Sequence, residues 1–316
     1  MKRPRGGKNE AKPNANQAEH SIARYAKRGR MHTGKSSFKP PHVKRRLTHF
    51  KNAEAVVIIL ASGSTGVSFP QADTWECWAT ELSGSHKVGF CLYVESAKVN
   101  AFWQPFVCPL TSSTAWGEFP LVKAELDALM WAERTYTSAK WFYVVSGDSI
   151  PVKTPEQYCD GPSGSVLGFP RVAAQLDYGV KLPWKLYEHS QWKVLTKAHA
   201  VLIVTVLIPN LSEWRKVHRK LKKKHCCAIA PDEWVIGTFL RSQDKHSDFS
   251  LGMCMMELEI EDEWRECCQE YTGHARQWKW EDLIVPSAFG DPSSWALRKL
   301  PITVGKKILK AVSNKD

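Results

Sequence analysis

The segment Ala55-Val-Val-Ile-Ile-Leu-Ala61 decides the fold. Seven apolar residues, four of them β-branched, run without a break and then give way to Ser62-Gly63-Ser64-Thr65-Gly66. Successive side chains of a strand point to opposite faces, so a strand with one wet face alternates apolar and polar positions. A run with no polar position has both faces covered, as in the middle of a parallel sheet, with the small polar residues forming the loop at its carboxyl end.

Two further runs repeat the pattern. Val88-Gly-Phe-Cys-Leu-Tyr-Val94 ends at Glu95-Ser96, and Trp141-Phe-Tyr-Val-Val145 ends at Ser146-Gly147-Asp148-Ser149. Between them, Val122, Leu126, Leu129 and Met130 recur at helical spacing over 118–137, with Lys123, Glu125, Asp127 and Glu133 expected off that stripe. Thr154-Pro155-Glu156-Gln157 is a capping box with proline at the first helical position, so a short helix begins there. Strands alternating with helices imply an α/β domain with a mostly parallel central sheet flanked by helices, whose ligands bind outside the carboxyl ends of the strands. The expected site is therefore the set of polar tips at 62–66, 95–98 and 146–149.

Further along, Lys193-Val-Leu-Thr196 reads as a short strand, and a helix begins at Lys197. Its apolar run from Ala200 to Ile208 is too short to span a bilayer and reads as a buried element. The basic residues Lys216, Arg219, Lys220 and Lys222 to Lys224 read as its solvated face. Glu257-Leu258-Glu259-Ile260-Glu261 alternates with period two, as an edge strand with one wet face does.

Charge is distributed unevenly. The net charge of the 316-residue chain is +12, and residues 1–50 account for all of it, with fourteen Lys/Arg against Glu10 and Glu19. Residues 51–316 form a neutral body, which argues against nucleic acid as the main partner. The first fifty residues lack apolar periodicity and read as a disordered basic tail, able to touch an anionic surface. No apolar h-region of about 7–15 residues marks a secretory signal, and no segment of about eighteen apolar residues marks a membrane anchor. The nine cysteines leave at least one unpaired, and the neighbours Cys226-Cys227 and Cys267-Cys268 lack the C-x₂-C spacing that aims two sulfurs at one zinc.

Redox and metalloprotease signatures, G-x-G-x-x-G after a strand and H-E-x-x-H, are missing, as is a D-x-D metal clamp. Two carboxylates follow a proline in Pro231-Asp232-Glu233. Carboxylates at a helix start interact with the positive helix end, which makes this an ordinary helix beginning at Pro231. The same field keeps a carboxylate ionised, the form that a general base requires. Near the carboxyl end, Arg298, Lys299, Lys306 and Lys307 form a basic segment that on these residues alone reads first as a solvated tail, with neutralising phosphate as the alternative.

Five segments in order resemble one family. They are Trp116-Gly117 leading into Val122-Lys-Ala-Glu-Leu126; Trp141-Phe-Tyr-Val-Val-Ser-Gly-Asp-Ser-Ile-Pro-Val-Lys-Thr154; His189-Ser-Gln-Trp192 through Thr196; Pro231-Asp-Glu233 with Thr238; and Trp295 with Lys306. Over residues 55–310 the chain is similar to the core-2/I-branching β-1,6-N-acetylglucosaminyltransferase family, which includes peptide xylosyltransferases and plant relatives.

The resemblance implies a GT-A-like glycosyltransferase domain over 51–316 and an inverting reaction from a UDP-sugar donor to a glycan or glycoprotein acceptor, with no metal cofactor. It makes Glu233 the catalytic base. Glu95, Arg298, Lys306 and Lys307 fall on the donor side, and Asp148, Ser190 and Trp192 on the acceptor and sugar side. The family's precedent is the Golgi membrane, which sets an expectation that the lack of an anchor in this chain does not meet.

The chain departs from the pattern at His189, where the family has glycine, and in the 147–151 turn, whose acid sits one residue early, as in the plant-type relatives. A second phosphate-binding arginine has Arg276 as its candidate. The alternatives are a non-catalytic nucleotide-sugar- or glycan-binding relative on the same scaffold and a tethering protein driven by the basic tail.

Overall fold

The computed structural model describes residues 52–61, 69–81, 87–94, 99–109, 114, 117–167, 185–224, 230–243, 249–250, 255–257 and 295–298. All belong to one compact unit, Val43–Asp316. The basic stretch 1–50, the tips at 62–66 and 95–98, and the basic segment beyond Arg298 lie outside these residues.

The three apolar runs are strands: β1 (Ala55–Ala61), β2 (Val88–Val94) and β3 (Trp141–Ser146). β1 pairs in parallel with both of the others, Ile58 facing Cys91 on one side and Val144 on the other. Every residue of β1 and β2 is buried, as expected of strands with no polar position. β6 (Lys193–Thr196) runs antiparallel against β3, and the short strands β5 (Ser165–Val166) and β7 (Phe249–Ser250) extend the sheet in the order β2-β1-β3-β6-β5-β7. β5 is antiparallel to β6 and β7 is parallel to β5, so β6 alone runs against the rest and the sheet is mostly parallel. A small second sheet sets β4 (Ile150–Pro151) beside β9 (Ala296–Arg298), with β8 (Met255–Glu257) at its edge. The alternating segment expected to be an edge strand thus begins as one, and its residues beyond 257 lie outside the described set.

Helix α1 (Ala72–Glu81) carries Trp75 and Trp78 inward. Both are fully buried in an edge-to-face cluster with Phe90 and, for Trp78, Tyr158. Helix α2 (Phe119–Thr135) buries Val122, Leu126 and Leu129 as its spacing requires, with Met130 only half-buried. Glu125 corrects the expected stripe, because it lies three residues after Val122 and four before Leu129 and is buried at 1% exposure. Helix α3 (Pro155–Asp160) starts with the capping box: Thr154 Oγ1 accepts from the Gln157 amide at 3.4 Å, and the Gln157 side chain accepts from the Thr154 amide at 2.9 Å.

From Lys197 the chain stays helical in pieces. Helix α4 (Lys197–Leu202) is followed by a wide π-turn (Ile203–Leu207), a 3₁₀ turn (Ile208–Asn210) and α5 (Leu211–Lys224). The cause is Pro209, which donates no amide and whose ring collides with the carbonyl four residues back, so the helix widens just ahead of it and Ile208 N–H bonds to the Ile203 carbonyl. The apolar run is therefore not wholly buried as expected: Ala200, Ile203 and Leu207 point inward, whereas Val201 and Val206 are each 36% exposed. On α5, Trp214, Val217, His218 and Leu221 are buried, and Lys216, Arg219, Lys220, Lys222 and Lys223 face water, as expected. No helix among the described residues is long and apolar enough to cross a membrane.

Candidate functional site

The site is built on one edge of the main sheet. The carboxyl ends of β1, β2 and β3 lie level, Leu60 facing Tyr93 and Ser146, and the Gly147 amide donates to the Leu60 carbonyl at 2.8 Å. The turn after β3 is tied down locally. The Ser146 hydroxyl donates to the Asp148 carboxylate, the Ser149 hydroxyl donates to the Ser146 carbonyl at 2.6 Å, and the Trp75 indole N–H donates to the Ser149 carbonyl at 2.7 Å. Asp148 is half-buried within it.

Strand β6 runs the other way, so its amino end reaches the same edge. Val144 faces Lys193, and the residues just before Lys193 therefore lie beside the carboxyl end of β3. This places Ser190 and Trp192 at the edge. Ser190 is half-buried, its amide donating to the Leu167 carbonyl at 2.9 Å and its hydroxyl accepting from the Trp192 amide at 3.1 Å. Trp192 is buried at 6% exposure and packs in the core beneath the edge.

The Pro231–Glu233 segment is not the first turn of a long helix. It is a separate 3₁₀ turn, and α6 (Val235–Ser242) begins only after Trp234, whose backbone (φ −145°) interrupts the helical path. The break turns the Trp234 indole into the core, at 1% exposure and 6.2 Å from Trp214. Proline opens the turn and both acids lie in it, as expected, and no side chain caps either element. The two carboxylates also part company: Asp232 is buried at 3% exposure, and Glu233 is half-buried.

The carbonyls of this turn are each held. Ala230 accepts from the Glu233 amide at 2.9 Å, Pro231 from the Trp234 amide at 3.3 Å, Asp232 from the Lys193 ammonium at 3.5 Å, and Glu233 from the His189 amide at 2.7 Å. The last bond brings Glu233 to the amino end of β6, one residue from Ser190. β9 arrives from the other sheet: Ile150 faces Leu297 and Pro151 faces Ala296, so the next position sets the Arg298 backbone beside Ser149, one residue from Asp148. Asp148, Ser190, Glu233 and the Arg298 position thus converge on one edge, although they are scattered over 150 positions of the chain. Glu95, Lys306, Lys307 and Arg276 lie outside the described residues, as do the vicinal cysteines. So does Gly29-Arg-Met-His-Thr-Gly-Lys-Ser36, which spells a P-loop pattern but follows no apolar run of the kind that a P-loop strand needs.

Behind the edge lies a polar cluster that sequence reasoning did not single out. Lys193 is wholly buried, and its ammonium donates to Glu125 Oε1 at 2.7 Å. Burial pushes the Glu125 carboxyl up to about 6, with Lys193 opposing and Asp232 adding to the rise. Burial also raises Asp232, again against Lys193. His189 is driven the other way, down to about 3, by burial and then by the Lys193 charge, so it is a neutral imidazole whose Nδ1–H donates to the Ser190 carbonyl at 2.7 Å. Its ring fits because position 237 is glycine: a Cβ there would lie 2.3 Å from His189 Cδ2. Among the described residues, Glu125 Oε2, Asp232 Oδ1 and His189 Nε2 find no hydrogen-bond partner. The readable signal was the position of Glu125 on the inward side of α2.

No family model and no curated protein matches the chain. Among solved structures it is similar to the crystal structure of a glycosyltransferase involved in the glycosylation of the major capsid of PBCV-1, at 11% identity and a TM-score of 0.33, over 81% of this chain and 98% of that one. A likeness of that size does not carry a function from one chain to the other. The chain itself is an α/β domain with a mostly parallel sheet and polar side chains at its carboxyl edge.

Proposed function

We propose that this chain is an inverting glycosyltransferase on a GT-A-like scaffold, moving an N-acetylglucosamine- or xylose-type sugar from a UDP-sugar to a hydroxyl of a glycan or glycoprotein without an essential metal. One observation carries the reading: Asp148, Ser190, Glu233 and the Arg298-bearing strand, all taken from the five family-like segments, meet at the sheet edge where an α/β fold binds its ligand. The resemblance in sequence assigns the roles.

In this reaction the Glu233 carboxylate takes the proton of the acceptor hydroxyl as its oxygen bonds to C1 of the sugar from the face opposite the leaving group. The bond from C1 to the diphosphate breaks, and UDP departs with the electron pair. Arg298, Lys306 and Lys307 offset the charge that develops on the diphosphate. The resemblance assigns Glu95 to the nucleoside, and Asp148 and Ser190 orient sugar and acceptor hydroxyls, with Trp192 packed below them. A carboxylate base acts only with its oxygen within about 2.6–3.2 Å of the hydroxyl oxygen it deprotonates, so the attitude of the Pro231–Glu233 turn sets the rate.

The test is Glu233→Gln, assayed for UDP release and for donor binding by thermal shift. Transfer falls by about 10²–10⁴ with donor binding retained. A loss of only a few fold leaves the reaction without its base and overturns the reading. Donor binding by the wild-type chain with no turnover selects the non-catalytic relative instead.

A further inference from the structure

The Lys193–Glu125 pair costs the protein free energy unless it does something, because two charges are withdrawn from water where two apolar side chains of like volume would fill the space. The geometry shows what it touches. Lys193 heads β6, Glu125 projects from α2, and the ammonium between them reaches the main-chain carbonyl of Asp232, the residue before Glu233. Its other neighbours are Asp232 on the turn itself and His189 ahead of β6, whose amide holds the next carbonyl. A sheet strand and a helix are thus joined by one ion pair, and that pair grips a one-turn 3₁₀ segment that no side chain caps.

We propose that Lys193, oriented by Glu125, is a positioning residue that locks the Pro231–Glu233 turn and so sets the direction of the Glu233 side chain. The lock itself is a statement about the chain. Only its effect on turnover rests on the reading of Glu233 as a base. Three buried acceptors of the same cluster, Glu125 Oε2, Asp232 Oδ1 and His189 Nε2, have no hydrogen-bond partner among the described residues, and Lys193 is the cation whose charge acts on all three groups. Glu125 faces Lys193 from β6 and Asp232 from the turn, while His189 faces Lys193, so the cluster sets two acids around one lysine.

The experiment compares wild type with Lys193→Met/Glu125→Leu, an apolar pair of similar volume that leaves no unpaired charge from the ion pair. Amide exchange is read over 230–234, with 235–242 as internal control, alongside kcat and KM for UDP release from UDP-N-acetylglucosamine and UDP-xylose. The variant melts a little below the wild-type temperature, because Asp232 alone is left without its cation, yet its 230–234 amides exchange about 10-fold or more faster while those of α6 do not change. kcat falls about 10-fold and KM for the donor stays within about 2-fold, the split expected when a base is misplaced and the donor is not touched.

Wild-type exchange over 230–234 in the stable variant makes the pair mere filling and overturns the proposal. A raised KM with unchanged kcat overturns it too. Should the double variant fail to fold, Glu125→Gln decides: the same amides exchange about 3-fold or more faster at pH 7.5, or the proposal falls. If wild type releases no UDP from either donor, it is the glycosyltransferase reading that fails, and the exchange result still decides the lock.

Discussion

The two halves of the main sheet are held by different physics. On the β2-β1-β3 side every strand position but Trp141 is buried, and all but Ser146 and Gly89 are apolar; Trp75, Trp78, Phe90 and Tyr158 pack edge to face over them. On the β6 side the buried set includes Lys193, Glu125, Asp232, His189, Ser165 and His199, and it includes pairs such as Ser165 Oγ to His199 Nδ1 at 2.6 Å. Dispersion and burial tolerate small slips in direction, but an ion pair or hydrogen bond does not, so the second half trades stability for orientation at the edge where the candidate base sits.

The largest expected effects separate the halves. Trp78→Ala opens a cavity and strands the Lys153 carbonyl that its indole N–H serves at 2.8 Å, at a cost of about 3–5 kcal/mol, read as a lower urea midpoint. Lys193→Met costs about as much, roughly 3–5 kcal/mol, because it leaves Glu125 and Asp232 buried without their cation. The comparison sharpens with a second change: adding Glu125→Leu recovers most of the Lys193→Met loss, whereas no single added substitution refills the Trp78 cavity. If both losses are equally irreversible, the distinction between the halves is wrong.

A smaller effect depends on pH. His189 is depressed to about 3 from an ordinary value of 6.5, so the stability it contributes is present above 6.5 and is lost as pH falls through the window from 6.5 toward 3. At pH 5 that loss is about 2 kcal/mol. Glu125, raised to about 6, has the opposite sign: its contribution is present below its ordinary 4.5 and lost as pH rises through 6, so it offsets part of the His189 loss. Urea midpoints of wild type and His189→Gln at pH 7.5 and 5 isolate the histidine, and the variant's midpoint falls less on acidification. The smallest effect is at the surface: Lys222→Ala, which removes the exposed contact with Glu118, changes stability by about 0–1 kcal/mol and barely moves the thermal midpoint.

Sequence patterns located β1, β2, β3, β6, α2, the capping box of α3 and the wet face of α5, because each depends on neighbours within a few residues: a β-branched run, a helical stripe, a Thr and Gln three apart. Where a local rule met a tertiary demand, the pattern misled. Pro231 looked like a helix start, but burying Trp234 splits the turn from α6. The run at 200–208 looked buried, but Pro209 widens the helix and leaves Val201 and Val206 at the surface. Glu125, being polar, reads as outward, whereas its spacing from Val122 and Leu129 places it inward.

By itself, then, the order of residues determined that this chain makes a mostly parallel sheet flanked by helices, and through its resemblance to one family it offered Glu233 as a base. Only the tertiary structure decided which side chains stand behind that glutamate. The ion pair that grips its turn joins residues 68 positions apart, on a helix and a strand whose local patterns say nothing of each other. Burial by the rest of the chain is what makes the two charges seek each other, and it exists only once the sheet and helix have packed.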